Sequence, residues 1–276
     1  MKIGIDVGGT HTKFGVVNGA EVTLVKTEPT IKNNKRHFLD NMKQQTLKIQ
    51  KLYGTPTKIG VAIAGVTKEN KIIRCPNLPS LDGVAINFVH EVINDARAAG
   101  LAEFHYGALQ NTANSLLLTL GTGIGGAVFL DGQLVRGRDN VIGEIGHLLM
   151  SKDNKLFEFE KLASGRALTA MAKERYPNEG FTFGARAFFG AVHQNDERAM
   201  GVLKDWIKIL AVGVANLVLF YNPEVIAFGG GISEDFKTFC GTLEEEVKKN
   251  LIYKNIMPEL KKASFGNLAG VFGATI

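Results

Sequence analysis

Two glycine-rich turns, each held between β-like runs, constrain this chain more than any other feature. The first lies in IGIDVGGTHTKFGVVNG, which begins at Ile3, and the second in LTLGTGIGGAVFLDG, which begins at Leu118. Each reads as strand, tight polar glycine turn, strand. Each also closes on a hairpin dipeptide, Asn18-Gly19 or Asp131-Gly132, of the kind that accepts the positive φ of a short β-turn. Two turns of one design, more than a hundred residues apart, point to a duplicated α/β unit.

The two halves run through the same scheme. In the first, residues 3–6 and 13–17 form the hairpin and 22–27 a third strand. Phe38, Leu39, Met42, Leu47 and Ile49 recur at helical spacing over 35–53. Residues 58–64 read as a compact buried strand, 75–79 with its two prolines as loop, and 81–93 as a helix feeding a short strand. ARAAGLAEFHYGAL, from Ala96, is a helix with Asp95 at its N-terminus, where the helix dipole favours a carboxylate. In the second half, 115–120 and 127–130 are the hairpin and 133–136 its third strand. Helices cover 157–176 and 197–220, the latter stopping before Asn222-Pro223. Residues 224–228 form a buried strand running into Gly229-Gly230-Gly231, and Ser233 or Asp235 caps a helix that ends near Leu251. The small apolar ending AGVFGATI packs back on the first half. The expectation is an α/β protein of two related domains, residues 1–113 with 265–276 returning to it, and residues 114–264.

Composition supports a substantial core, with 45% apolar and 21% charged residues. The net charge of +5 sets 32 basic against 27 acidic residues with no dense basic tract. The strongest cluster, from Lys32 to Lys35 and Arg36, opens a helix and reads as a solvated face, so no nucleic-acid partner is expected. Cys75 and Cys240 stand far apart and neither belongs to a Cys-x-x-Cys pair, which excludes a disulfide framework and fits a reducing, cytoplasmic setting. The chain enters a strand at once, unlike a signal peptide. Its longest apolar stretch, 207–221, holds Lys208 and Asn216 and is shorter than a bilayer span. It reads as a core helix, and no membrane partner is expected.

Gly121, Gly123 and Gly126 formally match G-x-G-x-x-G. A dinucleotide site needs a helix directly after those glycines; here AVFL and Asp131-Gly132 follow, so the element is a hairpin. Neither turn holds a Gly-Lys-Ser/Thr, so neither is a P-loop. What remains at Gly121, Thr122 and Gly123 is a turn whose backbone N–H groups, bare of Cβ atoms, can approach phosphate oxygens closely. Gly8, Gly9, Thr10 and Thr12 offer the same, with Lys13 as a nearby charge. Either turn alone is equally a structural hairpin; the pair favours two halves that hold one polyphosphate. Asp6 points into the first turn. A carboxylate there repels phosphate unless a cation intervenes, which makes it a candidate contact to Mg²⁺ through water; the plain alternative is a turn-capping Asx residue. For Asp95 the plain alternative is an N-cap.

Asp6-Val-Gly-Gly-Thr10, Pro76-Asn77-Leu78, Asn94-Asp95-Ala96-Arg97-Ala98, Gly121-Thr-Gly-Ile-Gly-Gly126, Gly143-Glu144-Ile-Gly-His147, Ala163-Ser164-Gly165, and Asn222-Pro223-Glu224 leading to Gly229-Gly230-Gly231-Ile-Ser233 follow one another in order. In order and spacing this set resembles the ROK group of bacterial sugar kinases, within the actin/hexokinase/Hsp70 superfamily, nearly end to end. The resemblance implies two ribonuclease H-like (actin-like ATPase) domains around a central cleft, ATP with Mg²⁺, a hexose substrate and a homodimer. It makes Asp95 the general base toward the sugar's 6-hydroxyl, and Asn77, Asn94, Glu144, His147 and Glu160 the sugar-binding residues. It places the phosphates on Gly8, Gly9, Thr10, Thr12, Lys13, Gly121, Thr122 and Gly123, and the adenosine against Gly230 and Gly231. The chemistry agrees: phosphoryl transfer to a hydroxyl needs positioning, charge neutralisation and a base in reach. A polyol, in turn, needs many polar partners, each costly to leave unpaired.

One segment departs from the group. Many members carry a zinc site built from the histidine of Gly-Glu-x-Gly-His and a Cys-x-Cys-Gly-x-x-Gly-Cys run. MSKDNKLFEFE fills that region here, with no cysteine between Cys75 and Cys240. Zinc is therefore not expected, His147 is either a sugar ligand or a hydrogen-bonded structural histidine, and Leu156, Phe157 and Phe159 are expected to hold the segment by packing. Glucose is the expected acceptor, ahead of mannose, fructose, allose or an N-acyl hexosamine such as N-acetylmannosamine. Two other classes compete: a non-catalytic sugar-binding regulator, whose family members add an N-terminal helix-turn-helix, and a chaperone-like nucleotide-binding protein, which lacks the Asn-Asp pair and the Glu/His set.

Overall fold

The computed structural model describes all residues, Met1 to Ile276, and divides into two units. The first comprises Met1–Gln110, Leu134–Gly143 and Ser264–Ile276; the second comprises Asn111–Gln133 and Glu144–Ala263.

The first unit opens with an antiparallel meander, β1 (Lys2–Val7), β2 (His11–Asn18) and β3 (Glu21–Pro29). Helix α1 (Lys35–Tyr53) follows. It is capped by Asn34, whose side chain accepts from the His37 N–H at 3.0 Å. Phe38, Met42, Gln45 and Ile49 are buried on one face of it, at the spacing of successive turns. Strand β4 (Ile59–Ile63) lies parallel to β1 and is buried throughout, as a central strand covered on both faces must be. A small hairpin, β5 (Val66–Lys68) and β6 (Lys71–Arg74), precedes β7 (Glu91–Asn94), which pairs parallel with β4 and runs straight into α2 (Asp95–Tyr106). The sheet order is β3-β2-β1-β4-β7.

The second unit opens with β8 (Ser115–Leu120), β9 (Ile124–Leu130) and the short β10 (Gln133–Leu134). A separate hairpin, β11 (Leu149–Lys152) and β12 (Lys155–Glu158), leads into α3 (Phe159–Ala163) and α4 (Gly165–Arg175). Then come α5 (Ala185–His193), α6 (Glu197–Tyr221), β13 (Val225–Gly229), α7 (Phe236–Asn250) and β14 (Glu259–Lys262). The sheet order is β10-β9-β8-β13-β14, so both sheets are a three-stranded meander extended by two parallel strands. The duplication signalled by the two glycine turns is present in the topology. Around α6, Trp206 is fully buried and its indole N–H donates to the Ala163 carbonyl at 3.1 Å. No helix is long and apolar enough to cross a membrane.

The last residues, α8 (Ala269–Gly273) and the three that follow, belong to the first unit. Their backbone lies so close to the sheet that a Cβ on Gly4 would stand 1.8 Å from the Val271 carbonyl oxygen, and one on Gly60 would stand 1.7 Å from that of Ala274. Glu103, fully buried on α2, fixes the point where the chain re-enters the unit: Oε1 accepts from the Ser264 and Phe265 N–H groups, and Oε2 from that of Ala108, all at 2.8 Å.

Two helices expected from the sequence take another form. Residues 81–93 hold only the end of a 3₁₀ turn, Pro79–Leu81, before the chain reaches β7. Gly83 has φ +77°, and residues 83–86 bond to the β5–β6 hairpin, with the Ile72 N–H on the Val84 carbonyl and the Ile86 N–H on that of Asn70. The helix expected over 157–176 begins as strand and breaks at Ser164, where the Gly165 N–H is drawn 2.8 Å to the Gly121 carbonyl instead of continuing α3.

Candidate active site

In the first unit the candidate residues gather at the ends of β1 and β7. The turn after β1 is closed by the Gly8 N–H on the His11 carbonyl at 3.0 Å. It is braced from beneath by Thr12, which is buried. The Thr30 hydroxyl donates to the Gly8 carbonyl at 2.7 Å, so Thr12 Oγ1, 3.0 Å away, donates to Thr30 Oγ1. Thr10 is exposed above. Asn77 stands beside the turn, 3.5 Å from where a Cβ on Gly9 would lie, and its loop is pinned by the Cys75 N–H on Asp82 Oδ1 at 2.7 Å.

Asp6 lies near the end of β1, 3.3 Å from Lys13 Nζ, which also donates to the Asn267 carbonyl at 3.0 Å. Burial pushes the Asp6 carboxyl up from its ordinary value, and the Lys13 ammonium pulls it back. A single hard carboxylate at the mouth of a glycine turn fits Mg²⁺ held through its waters. The structure contains no cluster of three or more His, Cys, Asp or Glu side chains arranged to hold a metal directly.

Asn94 ends β7 and caps α2, accepting the Arg97 N–H at 3.0 Å while donating to the Gly65 carbonyl at 3.2 Å. Asp95 is the first residue of α2, oriented by the Ala96 N–H on Oδ1 at 2.8 Å. A strand end feeding a helix N-terminus thus presents the carboxylate in the field that favours its charge. Two residues on, Arg97 is buried and its guanidinium Nη2 donates to the Ile142 carbonyl at 2.8 Å, holding the segment that leads to Glu144.

In the second unit the candidates gather around the second turn. The Gly121 N–H bonds the Gly123 carbonyl at 3.0 Å, and Thr122 is exposed at the tip. Gly230, with φ +80°, packs on the end of β8: a Cβ there would meet the Leu120 carbonyl oxygen at 2.5 Å. Ser233 Oγ donates to the Gly230 carbonyl at 2.7 Å, and Gly231 faces open space. Glu160 folds back onto the turn, its Oε2 accepting the Ile124 N–H at 3.3 Å and its Oε1 3.3 Å from Lys161 Nζ. Glu144 precedes and His147 ends a 3₁₀ turn, Ile145–His147, that rests on Ile124 through Gly146. The structure therefore assembles Gly121–Gly123, Glu144, His147, Glu160 and Gly230 within one unit.

Sequence reasoning missed Glu158. Its Oε1 lies 2.9 Å from His147 Nδ1, while the other ring nitrogen is 4.0 Å from Glu144 Oε2. The segment expected to be held by Leu156, Phe157 and Phe159 is a β-hairpin. Phe159 is fully buried, but Leu156 is exposed and anchors nothing.

The chain matches the ROK family over residues 2–276. It is 29% identical over 274 residues to a glucokinase of Thermotoga maritima, spanning 89% of this chain and 86% of that protein. It is 28% identical over 298 residues to an N-acetyl-D-glucosamine kinase of Aliivibrio fischeri, spanning 99% and 98%. A ROK family glucokinase from Streptomyces griseus, crystallised with glucose and AMPPNP, shares the fold with a TM-score of 0.84 over 99% of this chain and 97% of that one, at 24% identity.

Proposed function

Because this chain belongs to the ROK family, with its actin-like two-domain α/β fold, and is an ATP-dependent sugar kinase, we propose that it phosphorylates the 6-hydroxyl of glucose, with Asp95 as general base. The placement of Asp95 carries this reading: its carboxylate stands at the junction of β7 and α2, on a helix that Asn94 caps, and is oriented by the Ala96 N–H. A carboxylate fixed in this way is placed as a base toward a hydroxyl must be. Asn77, Asn94, Glu144, His147 and Glu160 take the sugar hydroxyls. The first turn, Gly8, Gly9 and Thr10, with Thr12 bracing it and Lys13 supplying charge, and the second, Gly121–Gly123, take the phosphates. Gly231 lies bare and Gly230 is locked against β8, which suits the flat face of an adenosine. Asp6 meets Mg²⁺ through water, and the ion, when bound, neutralises phosphate charge.

An N-acyl hexosamine is the second reading, favoured by the similarity to the N-acetyl-D-glucosamine kinase. ADP release measured with glucose, mannose, fructose, allose, N-acetylglucosamine and N-acetylmannosamine separates the two. Glucose is expected to show the highest kcat/KM; a higher value for either N-acyl sugar would move the assignment to that class.

A further inference from the structure

We infer that Glu158 is a positioning residue: it sets the tautomer of His147, so that the ring and Glu144 present two acceptors side by side to the sugar. The inference rests on the reading of His147 and Glu144 as sugar ligands. An ionised carboxylate only accepts hydrogen bonds. With Glu158 Oε1 2.9 Å from Nδ1, the proton of the neutral ring sits on Nδ1, and Nε2 carries the lone pair. Nε2 faces Glu144, 4.0 Å from its Oε2, so two acceptors stand together where a polyol brings two O–H donors. Without Glu158 the other tautomer turns an Nε2–H toward Glu144, and the pair satisfies itself instead of the sugar.

The hairpin is built to deliver this contact. Asp153 and Asn154, with φ of +50° and +59°, make the tight turn between β11 and β12. Glu158 is the last residue of β12, opposite Leu149. The next residue locks the register: the Phe159 N–H donates to the Leu148 carbonyl at 2.7 Å, and its buried ring fills the face of α6 at Gly213, where a Cβ would come within 2.2 Å of it. Lys161 Nζ lies 3.8 Å from the other carboxylate oxygen, Glu158 Oε2. The hairpin itself adds little core, since Leu149 and Leu156 are 66% and 68% exposed.

The test is a double-mutant cycle over Glu158→Ala and His147→Ala, with Glu158→Gln as the conservative variant, read as sugar KM, ATP KM and kcat. It is run alongside the ¹⁵N spectrum of the His147 ring. Glu158→Ala is expected to raise the sugar KM about 10-fold and to leave the ATP KM and melting temperature unchanged. Glu158→Gln, whose amide oxygen still accepts from Nδ1, should recover most of the loss. The double variant should match His147→Ala alone, and the ring should change from the Nδ1–H to the Nε2–H form in Glu158→Ala. An unchanged ring spectrum, or losses that simply add across the cycle, would overturn the inference. An unchanged sugar KM in His147→Ala would overturn the sugar role of that histidine instead. The spectrum tells the two failures apart, because it reports Glu158's hold on the ring with no sugar present.

Discussion

Asp95→Asn is expected to lower kcat by about 10³-fold, within the range that a positioned general base contributes, while the dissociation constant for the sugar changes little. The substitution isolates the chemistry. The asparagine amide oxygen can still accept the Ala96 N–H that orients Asp95 at 2.8 Å, and the Asn94 cap on α2 does not involve the Asp95 side chain. What is lost is the capacity to take a proton. Calorimetric sugar binding beside steady-state turnover separates the two effects, and turnover near that of the parent would remove Asp95 from the role of base.

Gly60→Ala is expected to cost the first unit about 3 kcal/mol, the upper part of the range for overpacking a closed site, and to lower the melting temperature by several degrees. The added methyl would stand 1.7 Å from the Ala274 carbonyl oxygen and 2.5 Å from its carbon. Both are backbone atoms, so no side-chain rotation relieves the contact. The C-terminal segment cannot drift away freely either, because Lys2 Nζ donates to the Thr275 carbonyl at 2.9 Å and Lys58 Nζ to that of Ile276 at 3.0 Å. Gly241→Ala is the control: it lies in α7 with nothing within 4 Å of the new Cβ, so it should leave stability unchanged or raise it by up to about 1 kcal/mol. Equal melting of Gly60→Ala and the parent would show that the ending does not pack on β4 as described.

Features set by local chemistry were legible in the sequence. Helix α1 falls on Lys35–Tyr53 as its apolar spacing predicts, and β8 on Ser115–Leu120, because one buried face or one apolar run decides each. Asn94 caps α2 as an Asn before a helix-forming run should. Features set by distant partners were not legible. Leu81, Val84, Ile86 and Val89 are all buried at spacings that imitate a helix, but Gly83 and the bonds to the β5–β6 hairpin draw the chain into an extended path. The break at Ser164 is decided by a carbonyl of the second glycine turn, more than forty residues earlier. In the site, the carboxylates and glycines announced themselves through their motifs. Glu158 had no such signal: its meaning comes from a histidine eleven residues away across a hairpin. Only the Asp153-Asn154 pair, flanked by short polar and apolar runs, hinted that the segment turns back on itself.

Phosphorus and carbon NMR of the product formed from ATP and glucose reads the transfer itself. The expected result is one ADP for each glucose 6-phosphate, with no ADP above background when 6-deoxyglucose replaces glucose. Phosphate on any other hydroxyl, or ADP release that does not depend on sugar, would contradict transfer to the 6-hydroxyl with Asp95 as its base.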